Sequence, residues 1–301
     1  MKSPAVDAGI EDIQVGGREI QRLWWENDKL LFALSGPGVV DVYAKTHPQR
    51  TGREVFTGAT DEPRAPKHPN LIALTPQGET CGAAAWVCSV DPANRKKLLR
   101  PWGYNSFTND ARRAGYGART AFQARRPKEG KTYCDAVLAN IKTPAGPVHA
   151  FLAFDMRSGE NFIRMHLGSP DQLYRRRGDD PQAEKFKNFR IGIGMARLPG
   201  EKPIRRGDNY MAVFADNPSG EATKVALGLI YDKTNYKGYT ETTQDGGNRA
   251  LYFAYEPRKN FRVRMWLVVG SNIDGSATSA AQWEKYVKGL AGKFEADLQT
   301  P

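Results

Sequence analysis

The stretch "WWENDKLLFALSGPGVVDVYAK", residues 24 to 45, sets three polar residues directly after a tryptophan pair. Such a segment is either a tight polar bend between two strands or one wall of a binding site. In the second reading Trp25, Glu26 and Asp28 contact a ligand, and Asn27 supplies a hydrogen bond to a charge that develops during reaction. Three further groups have suitable chemistry. Arg164 and His166 alternate on one face of the run "NFIRMHLGS", so both could reach one carboxylate. Arg262, Arg264 and Trp266 form a basic-aromatic stripe in "FRVRMWLVVG". Tyr231, Tyr236 and Tyr239 interleave with Lys233 and Lys237. Aromatic faces stack on sugar rings, and arginine forks hold carboxylates. Proton transfer needs a histidine, a tyrosine or a carboxylate of tuned pKa. Together these types suit removal of the acidic C5 proton of a uronate, with His166, Tyr231 or Tyr236 moving protons and Asn27 or arginine neutralising the carboxylate. His68 and His47 lie in a proline-rich stretch from which they could close over a site. Each group also has a plain structural reading: a bend, a loop-covered sheet face, or a solvated surface.

Several chemistries lack their motifs. No Gly-x-x-x-x-Gly-Lys-Ser/Thr loop, GxSxG elbow or HExxH helix occurs, and "GIGM" (192–195) lacks the third glycine and βαβ setting of a dinucleotide site. The three cysteines, Cys81, Cys88 and Cys134, fit no zinc spacing. Cys81 and Cys88 could pair across a hairpin in an exported protein, or all three could be buried thiols. No cofactor is indicated and no metal ligands are assigned, although a divalent cation is left open by four scattered histidines.

The elements that would position these residues are mostly strands. Runs such as 135–146, 149–159, 161–169, 225–232, 249–257 and 261–270 carry strand periodicity, with turn chemistry in "DNPSG", "DGGN", "EPRKN" and "NIDG" between them. Short connections exclude parallel crossovers, so the sheet is antiparallel. The number of strands calls for two stacked sheets. The expectation is an all-β fold: a large antiparallel two-sheet sandwich, jelly-roll or mutarotase-like supersandwich, in one domain over 1–301. One helix is predicted over 278–298, with Trp283, Val287, Leu290, Phe294 and Leu298 on one stripe and Thr278 or Ser279 as its cap. It should pack on the outside of a sheet. Residues 46–70 hold four prolines and little periodicity, marking a long loop or lid.

Composition narrows the partners. Lys and Arg outnumber Asp and Glu by 44 to 33, a net charge of +11. That field attracts polyanions. The charge is spread along the chain, with dense clusters at 94–100, 124–131 and 175–180, rather than gathered on a nucleic-acid-binding module, which disfavours nucleic acid. No apolar run is long enough to span a membrane. The polar start "MKSPAVDAGIED" reads as a chain whose leader has been removed, which implies a secreted or periplasmic protein; a monomer is expected.

Trp25-Glu26-Asn27-Asp28 and Asp41-Val42-Tyr43-Ala44-Lys45 resemble the opening of an exported bacterial family known only as a domain of unknown function. Weaker echoes are Trp102-Gly103, "GIGM", "ALGLIYD" and the closing helix with Trp283 and Tyr286. The segment 94–135 is richer in Arg and Lys than that family's pattern. The resemblance implies association with pectin- and alginate-degrading gene clusters, and hence acidic polysaccharide as the ligand. The leading expectation is a polysaccharide lyase acting by β-elimination. A glycoside hydrolase with paired carboxylates, Glu26 or Asp28 with a distant partner, is the enzymatic alternative. A non-catalytic glycan-binding protein is the other.

Overall fold

The computed structural model describes residues 7–15, 18–35, 39–56, 68–75, 82–89, 119–128, 131–143, 146–169, 186, 189–216, 221–242, 248–254 and 261–299. They form an all-β antiparallel sandwich with a C-terminal helix on its outside. The first sheet contains β1 (Asp7–Val15), β2 (Arg18–Glu26), β3 (Leu30–Ser35), β4 (Val39–Lys45), β5 (Leu71–Ala73), β6 (Ala84–Ser89), β11 (Arg190–Ala196), β15 (Tyr236–Thr242) and β16 (Asn248–Ala254). Its order is β1-β2-β3-β4-β6-β11-β16-β15, with β5 beside β4. The second contains β7 (Arg119–Lys128), β8 (Lys131–Thr143), β9 (Gly146–Arg157), β10 (Phe162–Ser169), β12 (Arg205–Arg206), β13 (Tyr210–Asp216), β14 (Lys224–Tyr231) and β17 (Phe261–Ser271). Its order is β12-β13-β14-β17-β10-β9-β8-β7. Nine and eight strands exceed the eight in total of a jelly roll, giving a sandwich of supersandwich size.

Period-two alternation decides which side chains meet. Ile163, Met165 and Leu167 of β10 and Val263, Met265, Leu267 and Val269 of β17 point between the sheets, where they join Trp25, Phe32, Phe154, Ile193, Leu251 and Phe253 in the main core. Trp25 stacks on Phe32 and Phe154 at 5.6 and 4.7 Å between centroids. Its neighbour Trp24 must face the other way, onto the outside of the first sheet. There it packs with Leu31, Tyr43 and Phe56 beneath the short helix α1 (Gly52–Phe56).

The second helix, α2 (Ala280–Gln299), lies on the outside of the second sheet. Its buried stripe is Trp283, Val287, Leu290, Ala291 and Phe294, and Ser279 Oγ accepts the Gln282 N–H at 3.3 Å as its cap. Close approach to the sheet depends on two strand glycines. A Cβ on Gly228 would lie 2.8 Å from Val287, and one on Gly270 2.5 Å from Trp283. Trp283 Nε1 donates to the Leu227 carbonyl at 3.1 Å, so the ring is both packed and satisfied. No helix among the described residues is long and apolar enough to cross a membrane.

Part of the 46–70 stretch is ordered against the first sheet: α1, and residues 68–70 leading into β5. Residues 57–67, Cys81 and Trp102-Gly103 lie outside the described residues, as does the Cys88 side chain, so the expected Cys81–Cys88 pairing does too.

Trp24 sits between two glycines. A Cβ on Gly9 would come 2.6 Å, and one on Gly52 2.4 Å, from its indole carbons. Gly52→Ala is expected to destabilise the protein by about 1–3 kcal/mol through overpacking, read as a lowered urea midpoint at unchanged m-value.

Candidate functional site

The Trp-Glu-Asn-Asp segment forms a buried polar knot. Glu26 is fully buried at the end of β2. Its carboxylate accepts Lys45 Nζ at 2.7 Å, Thr51 N–H at 2.9 and 3.0 Å, and Gly52 N–H at 3.0 Å. Lys45 Nζ also donates to the Asn27 carbonyl at 2.8 Å. Burial holds the Lys45 pKa below its usual value despite the neighbouring Glu26 charge. Asn27 is equally buried. Its Oδ1 accepts Lys29 and Leu30 N–H, and its Nδ2 donates to the Arg157 and Glu160 carbonyls at 2.9 and 2.7 Å. Asp28 Oδ1 takes the Gly159 N–H at 2.6 Å and the Ser158 hydroxyl at 3.2 Å. Asn27 and Asp28 tie the β2–β3 turn of one sheet to the β9–β10 turn of the other, while Glu26 ties β2 to β4 and the start of α1. The Glu26 carboxylate and the Asn27 amide are fully committed to positioning backbone and Lys45.

Next to that knot, Lys29, Gly159 and Asn161 on the turns and Gln282, Lys285, Tyr286, Gly289 and Lys293 on α2 line an open groove of about 620 Å³. Three lysines line it and no carboxylate does. Tyr286 is the one large exposed aromatic among the described residues, and its hydroxyl donates to Asn161 Oδ1 at 2.6 Å. Burial raises the Tyr286 pKa, against the opposing effect of that hydrogen bond, so the phenol is a poor base at neutral pH. The groove therefore offers cations, amides and a ring face, the requirements of an anionic sugar chain.

The other predicted site residues do not converge on it. His166, Arg164, Arg262, Arg264 and Trp266 occupy the outer face of the second sheet, where His166 pairs across to Arg264 and Arg164 to Trp266. Trp266 is buried under α2, 4.6 Å from Phe162 and edge-on to Phe294, so it is no exposed sugar platform. Arg164 is held by both Glu160 oxygens at 2.6 and 2.8 Å. Arg264 donates to the Leu298 carbonyl at 3.1 Å, capping the last turn of α2. Tyr231 and Tyr236 meet as tilted rings, centroids 5.0 Å apart, on the opposite side of that sheet, in and beside the inter-sheet core. His166 and these tyrosines are thus separated by the sheet itself and cannot serve one proton-transfer centre. Burial drives the Tyr231 pKa well above the ordinary tyrosine range. Trp25 is wholly in the core. His68 sits beside α1 on the outside of the first sheet, 3.5 Å from Glu54.

Sequence reading missed the groove residues Lys29, Asn161, Gln282, Lys285, Tyr286 and Lys293. A signal existed. Gln282, Lys285, Tyr286, Gly289 and Lys293 recur at three- and four-residue intervals, a second stripe beside the apolar one. No group of three or more metal-ligating side chains occurs among the described residues.

No protein-family model matches the chain, and no curated protein matches it. Among solved structures, a chain provisionally named as a kojibiose phosphorylase from human microbiome is 9% identical, at a TM-score of 0.33. The match covers 95% of this chain but 32% of that one. A likeness so low carries no argument about fold or function.

Two predictions follow from the knot and the arginine face. Glu26→Ala leaves a buried ammonium without its carboxylate and should cost about 3–5 kcal/mol in chemical unfolding, with Glu26→Ala/Lys45→Met recovering part of the loss. Burial and the adjacent Arg262, Arg264 and Arg164 hold His166 at a pKa of about 4, against the ordinary 6.5. Because the folded value is depressed, its stabilising contribution is complete above pH 6.5 and is lost as pH falls towards 4. In His166→Gln that part of the pH dependence, at most about 3 kcal/mol, should vanish from unfolding curves measured across the window.

Proposed function

We propose that this protein binds an acidic, uronate-containing polysaccharide along the groove between α2 and the β2–β3 and β9–β10 turns, and that it does so as a glycan-binding protein. The carrying observation is the lining itself: Lys29, Lys285 and Lys293 line the groove with the exposed Tyr286 ring, Asn161 and Gln282, and no carboxylate is among its described lining residues. Lysines supply attraction to successive uronate carboxylates, amides take hydroxyls, and the tyrosine face takes a pyranose ring. Binding is favoured over cleavage by where the expected acid-base groups lie. β-Elimination by His166 with Tyr231 or Tyr236 would need groups on opposite sides of one sheet to meet. Hydrolysis by Glu26 would need a carboxylate already occupied by Lys45 and the 51–52 backbone. The reading places the protein outside the cytoplasm, where such polysaccharides are encountered.

Affinity electrophoresis in gels containing alginate, pectate or glucuronan tests the proposal, beside a neutral glucan control. Retardation by at least one uronan, weakened by salt, is expected. Lys285→Glu/Lys293→Glu should bind roughly tenfold more weakly, since each exposed ion pair contributes up to about 1 kcal/mol. Unchanged mobility in every uronan overturns the reading. Appearance of unsaturated or newly reducing products in a parallel incubation would restore a lyase or a hydrolase.

A further inference from the structure

Gly228 and Gly270 are glycine because α2 lies against them. Gly289, inside α2 itself, has no such reason among the described residues. It is exposed, and a Cβ built on it would meet no heavy atom within 4 Å. A glycine in a helix interior costs stability, since glycine loses more conformational freedom on folding than any other residue. Gly292 is equally open, but it does not line the groove, whereas Gly289 does.

Gly289 leaves a gap in the groove wall. Tyr286, Gly289 and Lys293 stand at i, i+3 and i+7 and so share one helix face, about 10 Å long from first to last. Helical side chains lean towards the helix start. Tyr286 accordingly packs on Trp283, 5.5 Å between ring centroids, and its hydroxyl reaches Asn161. Lys293 begins a turn beyond Gly289. Between them the helix backbone is bare, and a ligand can approach it more closely than any side chain would permit. The charges there suit an anion. The carboxylates whose charge reaches Tyr286 are engaged elsewhere, Glu160 by Arg164 and Asp274 by Ser271 and Ser276. Asp28, next to Lys29, accepts from Gly159 and Ser158.

We infer that Gly289 sets the form of ligand the groove accepts: an extended run of uronates lying along α2 in close contact with its backbone. One sugar rests on the Tyr286 ring, the next lies against Gly289, and a carboxylate beyond it pairs with Lys293. This inference rests on the reading of the groove as a uronan site, and adds the residue that fixes the contact distance. A face about 10 Å long exceeds a single sugar, so a monomeric uronate fills only part of it.

Gly289→Ala and Gly289→Leu test it, with Gly292→Ala and Gly292→Leu as controls, in urea unfolding and in affinity electrophoresis through alginate, pectate and glucuronan. Both Gly289 variants should raise the urea midpoint, since each installs a better helix former. Binding should move the other way, severalfold weaker for alanine and roughly tenfold or more for leucine, the scale of an overpacked contact. The Gly292 variants should gain similar stability and keep the wild-type retardation. Stability and affinity moving in opposite directions is a result that a merely structural glycine does not produce. Oligouronates should compete with the gel-bound uronan where monomeric glucuronate does not. Wild-type affinity in Gly289→Leu overturns the inference and leaves uronan binding standing. Equal weakening by the Gly292 variants, or equal competition by glucuronate, does the same. A wild-type chain retarded by no uronan overturns this inference together with the groove reading beneath it.

Discussion

The buried carboxylate of Glu26 is the constraint around which one end of this molecule is organised. A charge removed from water must collect its partners from nearby, and here they come from three places: the Lys45 ammonium at the end of β4 and two backbone N–H groups, Thr51 and Gly52, at the start of α1. That requirement fixes where β4 ends relative to β2. It also fixes where the chain turns into α1, and so how α1 covers Trp24. Asn27 extends the same logic between sheets. Its amide satisfies the Arg157 and Glu160 carbonyls and so sets the β9–β10 turn against the β2–β3 turn.

The groove is a consequence of that arrangement. Lys29 follows immediately after the knot, and Gly159 and Asn161 belong to the turn it holds. The opposite wall is α2, whose distance from the sheet is set by Gly228, Gly270 and the Trp283–Leu227 hydrogen bond. The acidic segment that looked like the wall of a site therefore shapes a groove, one residue away, of opposite charge. Its members act through position, holding the turns that line that groove.

The outer face of β10 and β17 shows how a cationic cluster can be structural. Arg164 is neutralised by Glu160 and packs over Phe162 and Trp266, while Arg264 closes the carbonyl end of α2. His166, among arginines and partly buried, is kept neutral. On β16 the balance differs: Arg249 is fully buried among the inward-facing residues, and of its three guanidinium nitrogens Nη2 alone meets a carboxylate, that of Glu201.

The antiparallel sandwich, the inward and outward faces of β10 and β17, and the apolar stripe and cap of α2 were legible in the chain. They follow from local periodicity and turn chemistry, which act over a few residues. Alternation also required Trp24 and Trp25 to part company, though it could not say which entered the core. What the linear pattern could not supply is the pairing of distant polar groups. Glu26 and Lys45 become partners only when β2 and β4 flank β3, and Asn27 meets Arg157 and Glu160 only when the two sheets stack. His166 and Tyr231 share the types a proton-transfer site needs, yet β10 and β14, two strands apart in the second sheet, present them to opposite faces. Residue type set the available chemistry. Strand order and side-chain face, fixed by burial of the common core, decided which groups stand within reach of one another.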